Sequence, residues 1–205
     1  MKNYRVNEIF YSLQGEGLRA GVASVFVRLS GCNLLCDIEA GPKSIGGFKC
    51  DTEFVSGRAM TADQIAEESK RIAPACKWII LTGGEPALQV DTELTEKLHG
   101  EGYLIAIETN GSVALPKELN LDWVTVSPKV AEHALEQLEA TEVKYVRAYG
   151  QGVPVPRIMA VYHLISPAFK GGEIDPEAMA WCVKLCEENP KWRLSIQQHK
   201  IWGVR

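Results

Sequence analysis

The chain has 205 residues, 46% hydrophobic and 23% charged, enough for one domain with a real core and too few for a comfortable second. A formal net charge of -4 leaves no basic excess for gripping nucleic-acid phosphates, and no apolar run nears the ~18 residues that a bilayer span needs. Met1-Lys2-Asn3-Tyr4-Arg5 lacks the apolar core of a signal peptide, so a cytoplasmic location is expected, where six cysteines stay reduced and serve as metal ligands or core residues.

Residues 6–11 and 22–29 read as strands. In the second, Val25, Val27 and Leu29 share one face, which turns Arg28 to the other, toward the mouth of a barrel if a barrel forms. Thr61 with Gln64 makes a capping box for a helix over 61–73, which Pro74 stops. Lys77-Trp78-Ile79-Ile80-Leu81 suits a buried parallel strand, and Asp91 caps a second helix that Gly100 ends. Strands are expected at 103–108, 122–126, 142–147 and 158–165, and helices at 130–140 and 176–188, the latter opened by Asp175 and Pro176. This alternation predicts an α/β fold: one domain over 1–205, an incomplete TIM-type barrel of about six parallel strands with reduced helices.

Three of the six cysteines, Cys32, Cys36 and Cys50, fall on one loop after the 22–29 strand. Three thiols leave one position of a metal centre open, the arrangement that catalysis wants, whereas four would close a structural site. Taken alone they fit unrelated core or zinc-binding cysteines equally well. Thr82-Gly83-Gly84-Glu85-Pro86 directly follows a strand, and its glycines allow either a tight turn or close backbone approach to a ligand. The Thr52 hydroxyl reads as a turn cap or an anchor for a hard cation, and Arg28 and His199 as surface residues or carboxylate partners. Cys182 and Cys186, four apart on one helical face, read as core residues, and Cys76 as inert.

The motifs together change the balance. Glu8-Ile9-Phe10-Tyr11-Ser12-Leu13-Gln14-Gly15-Glu16-Gly17, Phe26 to Leu34, Cys50-Asp51-Thr52, Thr82 to Pro86, Glu108-Thr109-Asn110-Gly111, Ser127-Pro128-Lys129 and Trp192 to Lys200 resemble, in order, the 7-carboxy-7-deazaguanine synthases. These are radical S-adenosylmethionine enzymes. The resemblance implies a partial TIM barrel, a [4Fe-4S] cluster on Cys32, Cys36 and Cys50, S-adenosylmethionine, and Mg2+ at Thr52. It places S-adenosylmethionine against Lys49, Gly84, Glu108, Ser127, Pro128 and Lys129, and against the turn Ser166-Pro167-Ala168-Phe169. It places substrate, 6-carboxy-5,6,7,8-tetrahydropterin, against Leu13, Gln14, Gly15, Glu16, Arg28, Thr82, His199 and the carboxylate of Arg205. The implied reaction gives 7-carboxy-7-deazaguanine with loss of ammonia, for 7-deazapurine and queuosine formation. A homodimer and an external one-electron reductant such as flavodoxin are implied partners. In this chain 13 residues separate the second and third cysteines, more than the family's commonest spacing, and Lys49 stands where an aromatic residue is usual.

Two rivals share parts of this pattern. An enzyme that installs a glycyl radical on a partner protein would use the cysteine loop and the Gly-Gly-Glu-Pro turn, without needing Thr52, Arg28 or His199. A zinc-binding interaction module would need only the cysteines.

Overall fold

Strand alternation sets the layers. In a computed structural model that describes residues 2–34, 53–170 and 173–205, Val25, Val27 and Leu29 are fully buried on one face of the strand that carries them, and Arg28 lies on the other. The elements in chain order are β1 (Tyr4–Leu13), β2 (Ala23–Leu29), β3 (Arg58–Met60), α1 (Ala62–Ile72), β4 (Trp78–Gly83), α2 (Thr92–Gly100) and β5 (Leu104–Thr109). Then follow β6 (Trp123–Val126), β7 (Glu139–Arg147), β8 (Met159–Pro167), β9 (Phe169–Lys170), β10 (Glu173–Ile174), α3 (Pro176–Glu188), β11 (Trp192–Leu194) and α4 (Gln198–Trp202).

One sheet runs in the order β11-β8-β7-β6-β5-β4-β2-β1-β3. From β2 to β11 every neighbour is parallel, while β1 and β3 add an antiparallel edge. The six expected parallel strands are all present, and the short β11 joins them. The caps form as read: Thr61 and Gln64 close the capping box of α1, Asp91 accepts from Leu94 N, and Asp175 accepts from Glu177 N with Pro176 in the first turn. No helix among the described residues is long and apolar enough to cross a membrane.

One sequence expectation fails. Residues 130–140 form no α-helix; a single 3-10 turn covers Glu132–Ala134 and β7 begins at Glu139. Tertiary bonds replace the helical ladder. The backbone N–H groups of Glu136 and Gln137 both donate to Gly111 O, and the Glu132 carboxylate takes bonds from Tyr145 Oη and Arg157 N. The second helix, α2, does end at Gly100, as expected. The turn comes at Gly102, whose φ of 83° is left-handed.

The core divides by face. Ile65 of α1 and Leu94 and Leu98 of α2 pack on Ile79, Leu81, Ile105 and Ile107. On α3, Cys182 and Leu185 pack against Val143, Tyr145, Ile165 and Trp192, which confirms Cys182 as a core residue, and burial raises its thiol to about 11. The opposite, inner face holds Phe10, Phe26, Ile80 and Ala106, with the two phenyl rings stacked 4.9 Å apart. Segment 14–18 crosses from the β1 side to the far strands: Gln198 N donates to Gly15 O (2.8 Å), Gly17 N to Ser195 Oγ (3.0 Å) and Leu18 N to Glu142 Oε2 (3.0 Å). This strap joins the two sides of the partial barrel without strand pairing.

Candidate active site

Register turns the inner face polar at one level. Phe26, Ile80 and Ala106 are cross-strand neighbours, and two residues further along each strand stand Arg28, Thr82 and Glu108. Glu108 continues the row to Thr125 and Glu142. The side chains are linked. Glu108 accepts from Gln14 Nε2 at 2.7 Å and from Thr82 Oγ1 at 3.3 Å, Gln14 Oε1 accepts from Glu16 N at 3.1 Å, and Glu16 pairs with Lys144 and accepts from Gln197 Nε2 at 2.8 Å. The network therefore spans β4, β5, the strap, β7 and the segment after β11.

Glu16 and Lys144 are 18% and 13% exposed, so the pair is shielded from water. Burial alone would raise the Glu16 carboxyl; the adjacent Lys144 ammonium, helped by the Gln197 amide, reverses this and holds it below the ordinary value. Burial would likewise lower Lys144, but Glu16 and then Glu108 outweigh it and hold it above. Glu16 is thus a fixed, charged acceptor.

Arg28 sits beside Glu8, with Nε 3.2 Å from Oε1, and Glu8 also pairs with Arg205. The Arg205 guanidinium covers the Phe10 ring at 4.7 Å, and Ser12 Oγ donates to Arg205 O at 2.7 Å. Gly15 and His199 touch so closely that a Cβ on Gly15 would fall on the imidazole. Gln14 bonds main-chain to main-chain with Gly21 and Val22, so its side chain is what it can offer a ligand. Leu13 ends β1 beside this group, 36% exposed.

Above these residues the loops after β2, β4 and β5 are knitted together. Gly83 (φ 126°) and Gly84 lie against the backbone of Leu29 and Gly31, where any Cβ would collide. Glu85 is fully buried; it accepts from Thr109 Oγ1 (2.8 Å), Asn110 N (2.7 Å) and Ala87 N (2.9 Å), and its own N–H donates to Gly31 O (2.9 Å). Burial raises its carboxyl despite those bonds. Ser127 N donates to Thr109 O at 2.8 Å and Lys129 N to Asn110 O at 3.4 Å, which lays the Ser127-Pro128-Lys129 turn on the β5 loop. Ser166, at the end of β8, and Ala168 are buried, Pro167 closes that strand, and Lys200 Nζ lies 3.7 Å over the Phe169 ring.

Cys32 leads the same loop system. Leu34 N points at its sulfur at 3.4 Å and Asn110 Nδ2 at 3.9 Å. N–H donors aimed at a thiolate are what an iron–sulfur ligand needs to stabilise its charge, so the residues present fit a cluster beside the Gly83–Gly84 shelf. Cys36, Lys49, Cys50 and Thr52 lie outside the described residues. The structure brings together Gln14, Gly15, Glu16, Thr82, Glu108 and His199, and sets Arg28 and Arg205 around Glu8. Sequence reasoning missed Lys144, Gln197, Glu142, Glu85 and Asn110 as members of this framework. Three of them, Gln197, Glu85 and Asn110, stand inside recognised motifs; Glu142 and Lys144 were findable from the alternation of β7.

Comparison with known proteins gives the family. The profile of the Radical SAM superfamily matches residues 27–155. A 7-carboxy-7-deazaguanine synthase of Bradyrhizobium diazoefficiens is 39% identical over 99% of this chain and 100% of its own length. One from Bacteroides thetaiotaomicron is 38% identical over 98% of each chain. The crystal structure of QueE from Escherichia coli superposes with a TM-score of 0.69 at 26% identity, covering 96% of this chain and 95% of that one. These relatives favour neither the glycyl-radical activase nor the zinc module. The chain belongs to the 7-carboxy-7-deazaguanine synthases, within the Radical SAM superfamily.

Proposed function

We propose that this chain is a single-domain radical S-adenosylmethionine lyase that converts 6-carboxy-5,6,7,8-tetrahydropterin into 7-carboxy-7-deazaguanine with loss of ammonia. The observation that carries the reading is the unbroken inner-face network Thr82–Glu108–Gln14–Glu16–Lys144 on strands that also carry the Cys32, Gly84 and Asn110 loops. Cys32, Cys36 and Cys50 would hold the [4Fe-4S] cluster, and Gly84, Glu108, Ser127, Pro128, Lys129 and the 166–169 turn would cradle S-adenosylmethionine, with Lys49 near its adenine. When bound, cluster and cofactor supply a carbon-centred radical able to take an unactivated hydrogen. Thr52 would anchor Mg2+ with substrate oxygens completing its shell.

The protein's own part is orientation. Glu16, kept ionised by Lys144, accepts from the amide and amino N–H groups on the pterin edge. Arg28 offers a fork to the substrate carboxylate, which takes the place of Glu8, while Glu8 keeps Arg205 as partner. Thr82 and the Gln14 amide border the ring through Glu108, and His199, seated on Gly15, stands ready to hold the same carboxylate or a proton.

A cytoplasmic homodimer fed by a flavodoxin-type reductant completes the proposal. In support of the dimer, a groove of about 580 Å³ on the outer side of β6, β7 and β8 is lined by Leu115, Leu121, Val124, Met159 and Val161 and by no residue of α3. Anaerobic incubation of the reconstituted protein with dithionite, S-adenosylmethionine and the pterin tests the reading. It should yield 7-carboxy-7-deazaguanine and ammonium; 5′-deoxyadenosine with the pterin left intact would refute it.

A further inference from the structure

Arg19 follows the strap and is 7% exposed, yet no role in the network above uses it. Its guanidinium carbon lies 4.2 Å from the Trp78 ring and 5.8 Å from the Trp123 ring, so it sits inside the barrel over two indoles. Arg19 Nη1 and Trp123 Nε1 are both buried, and no acceptor among the described residues reaches either one. An orphaned buried donor costs about 1–3 kcal/mol, and two such donors beside one another point to one shared acceptor.

The acceptor's surroundings decide its identity. Trp123 is the cross-strand neighbour of Ala106, and two residues on come Glu108 and Thr125. Leu18, next to Arg19, donates its N–H to Glu142 Oε2, and Thr125 Oγ1 donates to Glu142 Oε1 at 2.9 Å. The carboxylates of Glu108 and Glu142 thus stand one layer from the two orphaned donors. An anion there would face two carboxylates, whereas a water can accept from the donors and donate to the carboxylates. We propose that Arg19 is a positioning residue of the candidate active site: with the Trp123 indole it holds one ordered water that ties them to Glu108 and Glu142. Burial pulls the guanidinium down, and the same two carboxylates oppose it.

The charge balance agrees. Glu16, Glu108 and Glu142 are countered in this interior by Lys144 and Arg19, with Gln14, Thr82, Thr125 and the Leu18 N–H as neutral donors.

The proposal rests on reading this network as the substrate wall, but its test does not need turnover. Carboxyl 13C titrations of Glu108 and Glu142, assigned with Glu108→Gln and Glu142→Gln, should be followed in the folded holoprotein. Arg19→Met should move at least one midpoint up by roughly one pH unit or more, and Arg19→Lys should retain it. A crystal structure should show a water within ~3.2 Å of Arg19 Nη1 and Trp123 Nε1, lost or displaced in Trp123→Phe. If Arg19→Met does not fold, Arg19→Lys and Trp123→Phe decide by the same two readouts. Unmoved midpoints, a dry contact or a chloride overturns the proposal. Failure of pterin turnover with shifted midpoints would overturn the substrate reading and leave the role of Arg19 standing.

Discussion

Replacing Lys144 by Met strips Glu16 of its cation while leaving the Gln197 amide in place. Removing one partner of a buried pair costs ~3–5 kcal/mol, and exposures of 13% and 18% put this pair at the lower end, about 3 kcal/mol. The stranded carboxyl can escape by taking a proton. From the ordinary value of 4.5, that escape costs about 1.4 kcal/mol per pH unit, hence about 4 kcal/mol at pH 7.5 and about 1.4 kcal/mol at pH 5.5. The loss is therefore about 3 kcal/mol at pH 7.5, and cannot exceed about 1.4 kcal/mol at pH 5.5. The signs agree. In the parent protein the depressed Glu16 contributes stability above about pH 4.5, lost as pH falls through its folded value. In the variant burial outweighs the remaining Gln197 bond, the folded value rises, and stability falls as pH rises. Thermal melts of the anaerobic holoprotein should show a drop of roughly 6–12 °C at pH 7.5 and at most about half of that at pH 5.5. Adding Glu16→Gln should restore most of the loss. An equal drop at both pH values would mean lost packing instead of lost charge and would refute the account of Glu16.

Glu85→Gln should cost about 2–4 kcal/mol, because an amide nitrogen must then face one of the N–H donors of Ala87 or Asn110; iron content per chain should fall with it, and a melt matching the parent would contradict the knitting role. Gly84→Ala forces a methyl onto the Gly31 carbonyl and should cut S-adenosylmethionine affinity at least tenfold, while Gly152→Ala, with open space around it, should not. Met159→Glu with Val161→Lys should give a monomer by light scattering with the fold intact; an unchanged dimer would remove the β6–β8 face as the interface.

The site was legible where a motif and a strand end coincide. The 22–29 alternation correctly turned Arg28 inward, and Thr82 and Glu108 follow from the same period of two. Lys144 was not legible in that way. Its strand was expected, but its partner Glu16 lies 128 residues away, and nothing local marks the pair. Reading the 142–147 alternation for its second face would have put Glu142 and Lys144 inside. The 130–140 segment misled because Ala-Leu-Glu-Gln-Leu-Glu-Ala has every local reason to be helical, while Gly111 O, Tyr145 and Arg157 offer its backbone and Glu132 better partners at long range. Leu13 to Glu16 read as one wall of the substrate site, whereas the 14–18 strap also joins the two sides of the sheet, a role visible only once β11 and α4 are placed beside it.

The most direct test of the central claim is the Mössbauer spectrum of the anaerobically reconstituted, 57Fe-labelled protein with and without S-adenosylmethionine. One iron of four should shift its isomer shift on adding the cofactor, and Cys32→Ala should abolish cluster loading while Cys76→Ala leaves it whole. Four equivalent irons that ignore the cofactor, or a colourless protein carrying zinc, would contradict it.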